Sequence, residues 1–452
     1  MTGIRILGAL EPTFAWDGSR LYSAGDLGPA VQVPPGLRGA ASLVTRDDAG
    51  NWRVLRDPLG INKLFWGYDD AGMATFATTP RTLVDAGIPF DAVSAAPTGC
   101  VLDLNPVQQS RKSWSLVPDS WRSVSKAAAD IQTTGARIRA AMDQYLAAVA
   151  AAHPHDRVFV CLSGGLDSSG IAAIARPHFG SLTAVSFDLD RPDGRSSEDR
   201  RTAERLAGDL GLPLWSVTVT EDELFRHLDT VLVEGIDWRD FNVHAGLVNA
   251  VLAAHIDELA PEVAGAGAGG RLVLTGDLAN EFLADYHPES YRGRTYYGLP
   301  RLSGAALRAS LVRGVATSHR EIGVFAARGL ALIQPYAVAV DAYMTLTDPF
   351  FDREDRKQQL CRAIFGDALP EYVYTRKKAR AQVGDAHAGS GVLSAAVDRG
   401  IDAAWLRQRF AELHGVHDNK ALGRFLRAGN YRSAIPFADQ EVQRGRHPAH
   451  IR

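Results

Sequence analysis

The chain of 452 residues is long enough for two domains of ordinary size. Hydrophobic residues make up 46% of it and charged residues 22%, which is typical of a globular protein with a sizeable core. A formal net charge of -3 argues against a nucleic-acid-binding surface, and no apolar run reaches the roughly 18 residues that a membrane helix needs.

The three cysteines, Cys100, Cys161 and Cys361, lie far apart and in no disulfide or zinc motif. The first residues also lack the basic segment and apolar run that are typical of a secretion signal. We therefore expect a cytoplasmic protein without disulfides or a structural zinc site.

Residues 1–120 have the pattern of an antiparallel, β-rich domain. Short runs with β-branched and aromatic residues alternate with turns that contain Gly, Asp and Asn. The clearest of these runs predict strands at 41–45, 52–55, 64–68 and 74–78.

Residues 121–452 show a different pattern, in which apolar strands alternate with helices. After a long Ala-rich helix at 127–151, strands are predicted at 158–162, 182–187, 214–219 and 271–276. This alternation indicates right-handed βαβ units and a doubly wound parallel sheet. The remainder of the chain is predicted to be mostly helical.

A serine- and glycine-rich loop follows the first strand of this predicted sheet, at the carboxyl edge where open α/β sheets bind ligands. Glycines let the backbone approach an anion, while hydroxyls and the N-terminus of the next helix donate hydrogen bonds. The loop therefore predicts a phosphate site, although it lacks both the P-loop lysine and the dinucleotide-loop spacing. Its candidate phosphate-binding residues are Leu162, Ser163, Gly164, Gly165, Asp167, Ser168 and Ser169.

Asp167 stands at the mouth of this loop and is a candidate Mg²⁺ ligand. Mg²⁺ in proteins commonly takes one or two carboxylates together with phosphate oxygens. The alternative interpretation of the whole loop is a tight strand-to-helix turn that needs glycine only for its geometry.

Five segments of the chain, in order, resemble motifs of the asparagine synthetase superfamily. This superfamily includes asparagine synthetase B, β-lactam synthetases and the macrolactam cyclases of lasso peptide biosynthesis. The resemblance implies an N-terminal Ntn-glutaminase-like domain and a C-terminal pyrophosphatase-loop domain of the adenine nucleotide alpha hydrolase type. The five segments are 56–65, 162–169, 274–282, 348–354 and 369–378.

The resemblance implies an ATP-dependent, AMP-forming carbon–nitrogen ligase. Such enzymes adenylate a substrate carboxylate, release pyrophosphate and let an amine attack the acyl group. The resemblance places ATP on the serine–glycine loop and on the residues Val185, Ser186, Phe187 and Gly276. It also implies that Lys378 stabilises negative charge on the phosphate and on the tetrahedral intermediate, with Lys377 as the alternative.

The second loop departs from the family pattern. Asn280 stands where the family usually has an aspartate that binds Mg²⁺, and an amide oxygen coordinates more weakly, with Glu281 as the candidate to compensate. Asp277 is a candidate for accepting or orienting the attacking amine, unless it only caps a turn or helix. The segment 330–334 contains no carboxylate that could act together with Asp277, and this weakens the case for a β-lactam-forming activity.

The N-terminal segment departs from the family as well. Glutamine-using members need a cysteine as the first residue, whereas here Thr2 and Gly3 follow Met1 and the first cysteine is Cys100. We therefore expect a degenerate glutaminase-like domain with a structural role, and an amine that does not come from glutamine. Loss of that centre is typical of natural product biosynthesis.

The expected partners are a small-molecule or peptide carboxylate and an amine, with no nucleic acid, no membrane and a possible homodimer. Macrolactam or β-lactam cyclisation, adenylation of RNA or nucleotides, and a degenerate nucleotide-binding role remain as alternatives. Glu198 is either a helix-start carboxylate or a contact of the pyrophosphate group. Asp285 is expected to be an ordinary exposed carboxylate, with a place at the border of the acceptor site as the alternative.

Overall fold

The fold is that of a computed structural model of the chain, and it combines one parallel sheet, smaller β-sheets and many helices. The mixed α/β class expected from the sequence is confirmed. The structure describes residues 3–105, 110–122, 130–191, 194–259, 270–285, 288–297, 302–315, 319–376, 391–416, 418, 420 and 422.

The described part of residues 1–120 is β-rich, with three small sheets. Their strand orders are β1-β8-β7-β9, β11-β10-β6-β5 and β3-β2-β4. All pairs are antiparallel apart from β1 with β8. The four predicted strands are confirmed as β5 to β8. The strands are β1 (Ile4–Ile6), β2 (Phe14–Trp16), β3 (Leu21–Tyr22), β4 (Arg38–Ala40), β5 (Ser42–Arg46), β6 (Trp52–Arg56), β7 (Phe65–Tyr68), β8 (Ala74–Ala77), β9 (Ser94–Ala95), β10 (Cys100–Asn105) and β11 (Ser110–Ser115).

A parallel sheet forms the centre of the C-terminal part, in the order β14-β13-β12-β15-β18. Every neighbouring pair is parallel, and the strands run out from β12 in both directions. This order opens a crevice at the carboxyl end of β12, where ligands of such sheets bind. The strands here are β12 (Arg157–Cys161), β13 (Leu182–Leu189), β14 (Leu214–Val219), β15 (Arg271–Leu274), the hairpin of β16 (Glu289–Tyr291) with β17 (Arg294–Tyr296), and β18 (Ala331–Ile333).

The described chain after β15 is mostly helical, as expected, but it also contains a strand, β18, that the sequence did not predict. This strand contains three residues, too few to show the alternation that marks a strand in a sequence. Its strand conformation depends on pairing with Leu272–Leu274 of β15, a long-range contact that local sequence does not reveal.

Helices fill most of the remaining described chain. Short three-ten helices occur at Gly25–Leu27, Phe90–Ala92, Pro335–Ala339 and Gly366–Ala368. The α-helices are α1 (Pro80–Asp85), α2 (Asp119–Arg122), α3 (Ile131–Ala152), α4 (Leu166–Ala175), α5 (Glu198–Leu210), α6 (Glu221–Phe225), α7 (Leu228–Gly235), α8 (Asp240–Leu259), α9 (Ala279–Leu283), α10 (Gly304–Leu311), α11 (His319–Ala326), α12 (Val340–Tyr343), α13 (Asp348–Phe351), α14 (Arg356–Phe365), α15 (Glu371–Thr375), α16 (Val392–Asp398) and α17 (Ala403–Leu413).

Helix α3 begins later than the Ala-rich pattern predicts because Asp130 caps it. The side chain of Asp130 accepts a hydrogen bond from the backbone N–H of Thr133 at 2.9 Å. Aspartate is favoured at this position because it satisfies an N–H that has no partner within the helix. Composition alone does not reveal such a start.

One continuous hydrophobic core includes side chains from both halves of the chain. Phe90, for example, lies edge-on to Phe410 with ring centroids 6.4 Å apart. The division into domains at residues 120 and 121 therefore remains a prediction.

The three cysteines are free thiols, as expected. Over the part of the chain that the structure describes, none of the helices combines the length and apolar character needed to cross a lipid bilayer.

Candidate active site

A cavity of about 280 Å³ lies beside the residues that follow β12 and β15. Apolar side chains of β13 and α8 form part of its wall. Twelve of the residues predicted as site residues also line it, which brings the two loops together. They are Leu162, Ser163, Gly164, Gly165, Asp167, Ser168, Val185, Phe187, Gly276, Asp277, Asn280 and Glu281.

Two of the predicted nucleotide-binding residues have side chains that do not line the cavity. Ser169 is fully buried within α4, and Ser186 is 1% exposed. Successive residues of a strand face opposite sides of the sheet, so Val185 and Phe187 line the cavity while the Ser186 side chain points away. Only backbone groups of Ser186 are therefore available to a ligand there.

The predicted catalytic lysine, Lys378, and its alternative, Lys377, lie outside the described residues. The role assigned to this segment remains a prediction. The described chain in this region ends at Arg376, which lines the cavity.

The first loop owes its shape to glycine and to hydrogen bonds between serines. Gly164 has φ +69°, and a Cβ atom there would lie 2.6 Å from Cβ of Thr202. The Ser168 hydroxyl lies 3.0 Å from that of Ser163 and accepts the Ser163 backbone N–H at 3.2 Å. These contacts hold the loop in a fixed turn at the N-terminus of α4, where an anion is favoured.

The second loop packs directly on the first at Gly276. A Cβ atom on Gly276 would lie 2.6 Å from the backbone nitrogen of Ser168 and 2.7 Å from the carbonyl carbon of Asp167. No side chain fits in that space, so glycine is required for the two loops to meet. This contact positions Asp277 beside the first loop.

Lys357, a residue that the sequence reasoning missed, is central to the cavity wall. Its Nζ donates to Oδ2 of Asp167 at 2.5 Å and to Oδ1 of Asn280 at 2.6 Å, and lies 3.8 Å from Oδ2 of Asp285. Burial by itself would lower the pKa of Lys357, but the carboxylates of Asp167 and Asp285 outweigh it and raise the pKa above its ordinary value. The lysine therefore carries its charge.

Asp285 is 4% exposed, so the expectation of an ordinary exposed carboxylate is wrong. It lies 3.8 Å from both Nη2 of Arg356 and Nζ of Lys357. A buried carboxylate of this kind is tolerated because cations surround it.

The residues around Asp167 fit a Mg²⁺ ion that arrives with phosphate, but only in part. Oδ1 of Asp167 is buried and accepts no hydrogen bond, so it is available as one ligand. The side-chain oxygen of Asn280 instead accepts from Lys357, and Glu281 is buried with its pKa raised by burial. Within the described residues, no group of three or more His, Cys, Asp or Glu is placed to hold a metal. The Asn280 oxygen is therefore already engaged by Lys357, and the roles of Asn280 and Glu281 as metal ligands stay predictions.

A cluster of carboxyl groups surrounds Arg320 next to Asp277. Nη2 of Arg320 lies 3.4 Å from Oδ1 of Asp277, and its Nε lies 2.5 Å from Oε1 of Glu321. Gln334 donates to the other oxygen of Glu321 at 3.3 Å. Burial raises the pKa of Glu281 and holds that of Glu321 well above its ordinary value, although Arg320 opposes both shifts.

Glu321, fully buried behind the cavity wall, is a carboxyl group close to segment 330–334. It comes from α11 and accepts a hydrogen bond from Gln334 at the end of β18. Glu321 lies 13 residues before Gln334 in the sequence, so the segment 330–334 alone could not reveal that the two residues are in contact.

Arg376 ties the first loop to α5. It donates to the backbone oxygen of Ser163 at 3.3 Å and to Glu198 at 3.2 Å, and it also donates to Asp199. Glu198 is thus a carboxylate at the start of α5 that pairs with this arginine. Arg376 and Asp199 line the cavity, and neither had been singled out from the sequence.

Comparisons with known proteins agree with this geometry. Residues 137–336 match the sequence model of the family described as Asparagine synthase. Carboxyethyl-arginine beta-lactam-synthase of Streptomyces clavuligerus is 26% identical over 335 residues, which cover 70% of this chain and 53% of that protein. The chain thus spans about half the length of this relative.

Two solved structures are also similar, at TM-scores too low to compare whole folds. The NMN synthetase from Francisella tularensis is 14% identical, with 67% of this chain and 94% of that chain covered and a TM-score of 0.30. The glutamine-dependent NAD+ synthetase from Acinetobacter baumannii, in complex with ADP, is 15% identical, with 76% and 49% covered and a TM-score of 0.29.

Proposed function

Because this chain belongs to the asparagine synthetase superfamily, we propose that it is an ATP-dependent ligase that joins a carboxylic acid to an amine. The observation that best supports this proposal is the cavity between the two loops. It combines a serine–glycine turn, three cationic side chains and a set of carboxyl groups within one space. The cations are Lys357, Arg376 and Arg320, and the carboxyl groups include Asp277 and Glu281.

The nucleotide is proposed to bind across the two loops. The apolar wall would receive the adenine ring, and the turn from Ser163 to Ser168 with the N-terminus of α4 would receive the phosphates. Lys357 and Arg376 would offset the negative charge of the phosphates. Mg²⁺, held by Oδ1 of Asp167, would neutralise further phosphate charge. The apolar residues are Val185, Phe187, Phe241, Val248 and Leu252.

The proposed reaction has two steps. An oxygen of the substrate carboxylate attacks the α-phosphorus of ATP, the bond to the β-phosphate breaks, and pyrophosphate leaves. The amine nitrogen then attacks the acyl carbon, the bond to AMP breaks, and a base takes the proton of the amine.

Asp277 is proposed to orient the attacking amine or accept its proton, since it lines the cavity and Arg320 holds it in place. Glu281 lies on the same wall with a raised pKa, which makes it a better proton acceptor near neutral pH than an ordinary carboxylate. Lys378 remains the predicted group for the tetrahedral intermediate.

The cysteine environments support an amine source other than glutamine. Burial raises the pKa of the Cys100 and Cys161 thiols, whereas a catalytic thiol needs a lowered pKa. We propose that the amine comes from a second substrate or from the same molecule, in natural product biosynthesis.

Ring closure within one substrate is a second candidate function. Two observations favour it: the similarity to a β-lactam synthase and the carboxyl pair of Asp277 and Glu321 beside one arginine. It predicts that acid and amine come from one molecule, so that a single substrate gives one cyclic product per ATP. Intermolecular coupling instead requires two separate substrates.

The test is exchange of labelled pyrophosphate into ATP with panels of carboxylic acids, amino acids and linear peptides. We expect exchange that depends on one class of acid and that falls about 100- to 1,000-fold in Asp167→Asn, because the oxygen proposed to hold Mg²⁺ against the phosphates loses its negative charge. Asp70→Asn, in an exposed turn, is the matched control and should exchange normally.

Two outcomes would contradict the proposal. Normal exchange in Asp167→Asn would remove the first loop from the reaction. Nucleotide binding without exchange for any acid would favour a nucleotide-binding partner protein instead.

A further inference from the structure

Three side-chain oxygens converge on one buried ammonium group at the edge of the first loop. Nζ of Lys357 lies 2.5 Å from Asp167, 2.6 Å from Asn280 and 3.8 Å from Asp285. Lys357 is 7% exposed, so protein atoms surround this group almost completely.

Oxygen ligands of this kind normally surround a divalent cation when they gather beside a phosphate-binding loop. A divalent ion neutralises the charge of two carboxylates, whereas one ammonium group neutralises the charge of one. The amide of Asn280 has no charge, so the charge at the two nearest oxygens is that of Asp167 alone. One lysine offsets that charge fully.

The lysine is also held in place by its neighbours in α14. Arg356, before it, donates to the backbone oxygens of Leu283 at 3.4 Å and Ala284 at 3.1 Å, which lie at the end of α9. Gln358, after it, donates to the backbone oxygen of Tyr374 at 2.8 Å. Both neighbours therefore fix the start of α14 against the walls of the cavity.

We propose that Lys357 supplies, as a built-in ammonium group, the positive charge that a protein-held divalent cation would supply between Asp167 and Asn280. The free protein then binds no divalent ion at these oxygens. In its nucleotide part the inference rests on the proposed function: a metal ion enters only with the triphosphate, at Oδ1 of Asp167.

Binding of Mn²⁺ to the nucleotide-free full chain tests the first part, with free Mn²⁺ followed by electron paramagnetic resonance. The variants are Asn280→Asp, Lys357→Met and the two combined, with Lys112→Met on exposed β11 as the matched control. The double variant has carboxylates at all three of the converging positions and no ammonium group between them. We expect it to bind Mn²⁺ at least about 10-fold more tightly than the wild type.

Asn280→Asp alone is expected to bind Mn²⁺ as weakly as the wild type, because the lysine still occupies the position. Tight stoichiometric binding by the wild type, or equal binding by Asn280→Asp and the double variant, would overturn the inference. If the double variant fails to fold, as a thermal melt would show, the wild type and Asn280→Asp still decide the matter.

Calorimetric binding of ATP with Mg²⁺ tests the nucleotide part. Lys357→Met should weaken ATP binding about 10- to 100-fold through loss of a charged hydrogen bond, with AMP binding little changed. A wild type that binds no ATP contradicts the proposed function but leaves the Mn²⁺ result standing. Equal ATP affinity in Lys357→Met and the wild type contradicts the role of Lys357 at the phosphates.

Discussion

Two of the clusters of buried charged residues in the described part of the chain differ in how their polar atoms are satisfied. The first cluster, in residues 1–120, contains Arg56 and Asp57. Arg56 donates to the backbone oxygens of Asn62, Gly60 and Ala96 at 2.9, 3.0 and 2.7 Å. Asp57 accepts from backbone N–H groups that include those of Ile61 and Asn62.

The second cluster lines the cavity and keeps some polar atoms without hydrogen bonds. Buried oxygens of Asp167 and Thr275, which both line the cavity, have no hydrogen-bond partner. Buried polar groups usually find a partner inside the fold. The comparison teaches that Arg56 and Asp57 are satisfied within the fold, whereas Asp167 keeps one oxygen that a ligand can use.

The largest expected effect tests whether the first cluster is purely structural. Arg56→Met removes the donors of three buried backbone oxygens and leaves Asp57 without its cation. We expect a loss of about 3–5 kcal/mol in the free energy of unfolding, measured by urea denaturation.

Arg20→Met is the matched control, because its pair with Asp26 is exposed and worth under about 1 kcal/mol. A loss for Arg56→Met no larger than that of the control would contradict the structural role of the cluster.

The next effect disturbs the second cluster through its backbone. Gly276→Ala forces a Cβ atom to within 2.6 Å of the backbone nitrogen of Ser168, so the first loop must shift. We expect a loss of about 1–3 kcal/mol in unfolding free energy and a marked loss of ATP affinity, measured by denaturation and calorimetry.

Gly208→Ala, within α5 and with open space around it, should instead stabilise the protein by about 0.5–1 kcal/mol. ATP affinity unchanged in Gly276→Ala would show that the two loops need not touch for binding.

The smallest effect concerns pH and a histidine packed far from the cavity. His414 is fully buried and stacks on Phe410, and burial lowers its pKa to about 4. Below pH 6.5 His414 takes up a proton in the unfolded chain but not in the folded chain. The free energy of unfolding is therefore unaffected by this histidine above pH 6.5 and falls as the pH is lowered toward 4. At pH 5 the loss should be about 2 kcal/mol relative to pH 7.

His414→Phe should flatten this acid limb of stability in unfolding curves measured between about pH 7 and pH 5. His155→Gln, at an exposed position, should leave it unchanged. An acid limb of equal slope in His414→Phe and the wild type would place the responsible proton elsewhere.

Local patterns were sufficient to predict much of the fold and the first loop. The apolar run that becomes β12, the glycines after it and the start of α4 are neighbours in sequence, so one short segment determines their geometry. The contact of Asn280 with Lys357 could not be predicted in this way. The Asn280 oxygen is satisfied by Lys357, which lies 190 residues from Asp167 and meets it only after the chain has folded.

Long-range packing also explains the other differences. Asp285 becomes buried because Arg356 and Lys357 approach it from α14. Strand β18 exists because β15 offers an open edge to pair with. The role of Lys378, the domain boundary, the cytoplasmic location and the possible homodimer stay predictions.

Helix α11 begins with residues that face different surroundings. His319 contacts Nη2 of Arg56 at 2.9 Å and the backbone oxygen of Gly60 at 3.0 Å, whereas the next residue, Arg320, reaches Asp277 in the cavity. A substitution at Arg56 or Gly60 therefore acts on a residue directly next to Arg320, which contacts Asp277 in the cavity. The choice of residue at positions 56 and 60 is therefore linked to the cavity, although neither residue lines it. A chain without residues 1–120 would lose the contacts that hold His319, and with it the start of α11, in place.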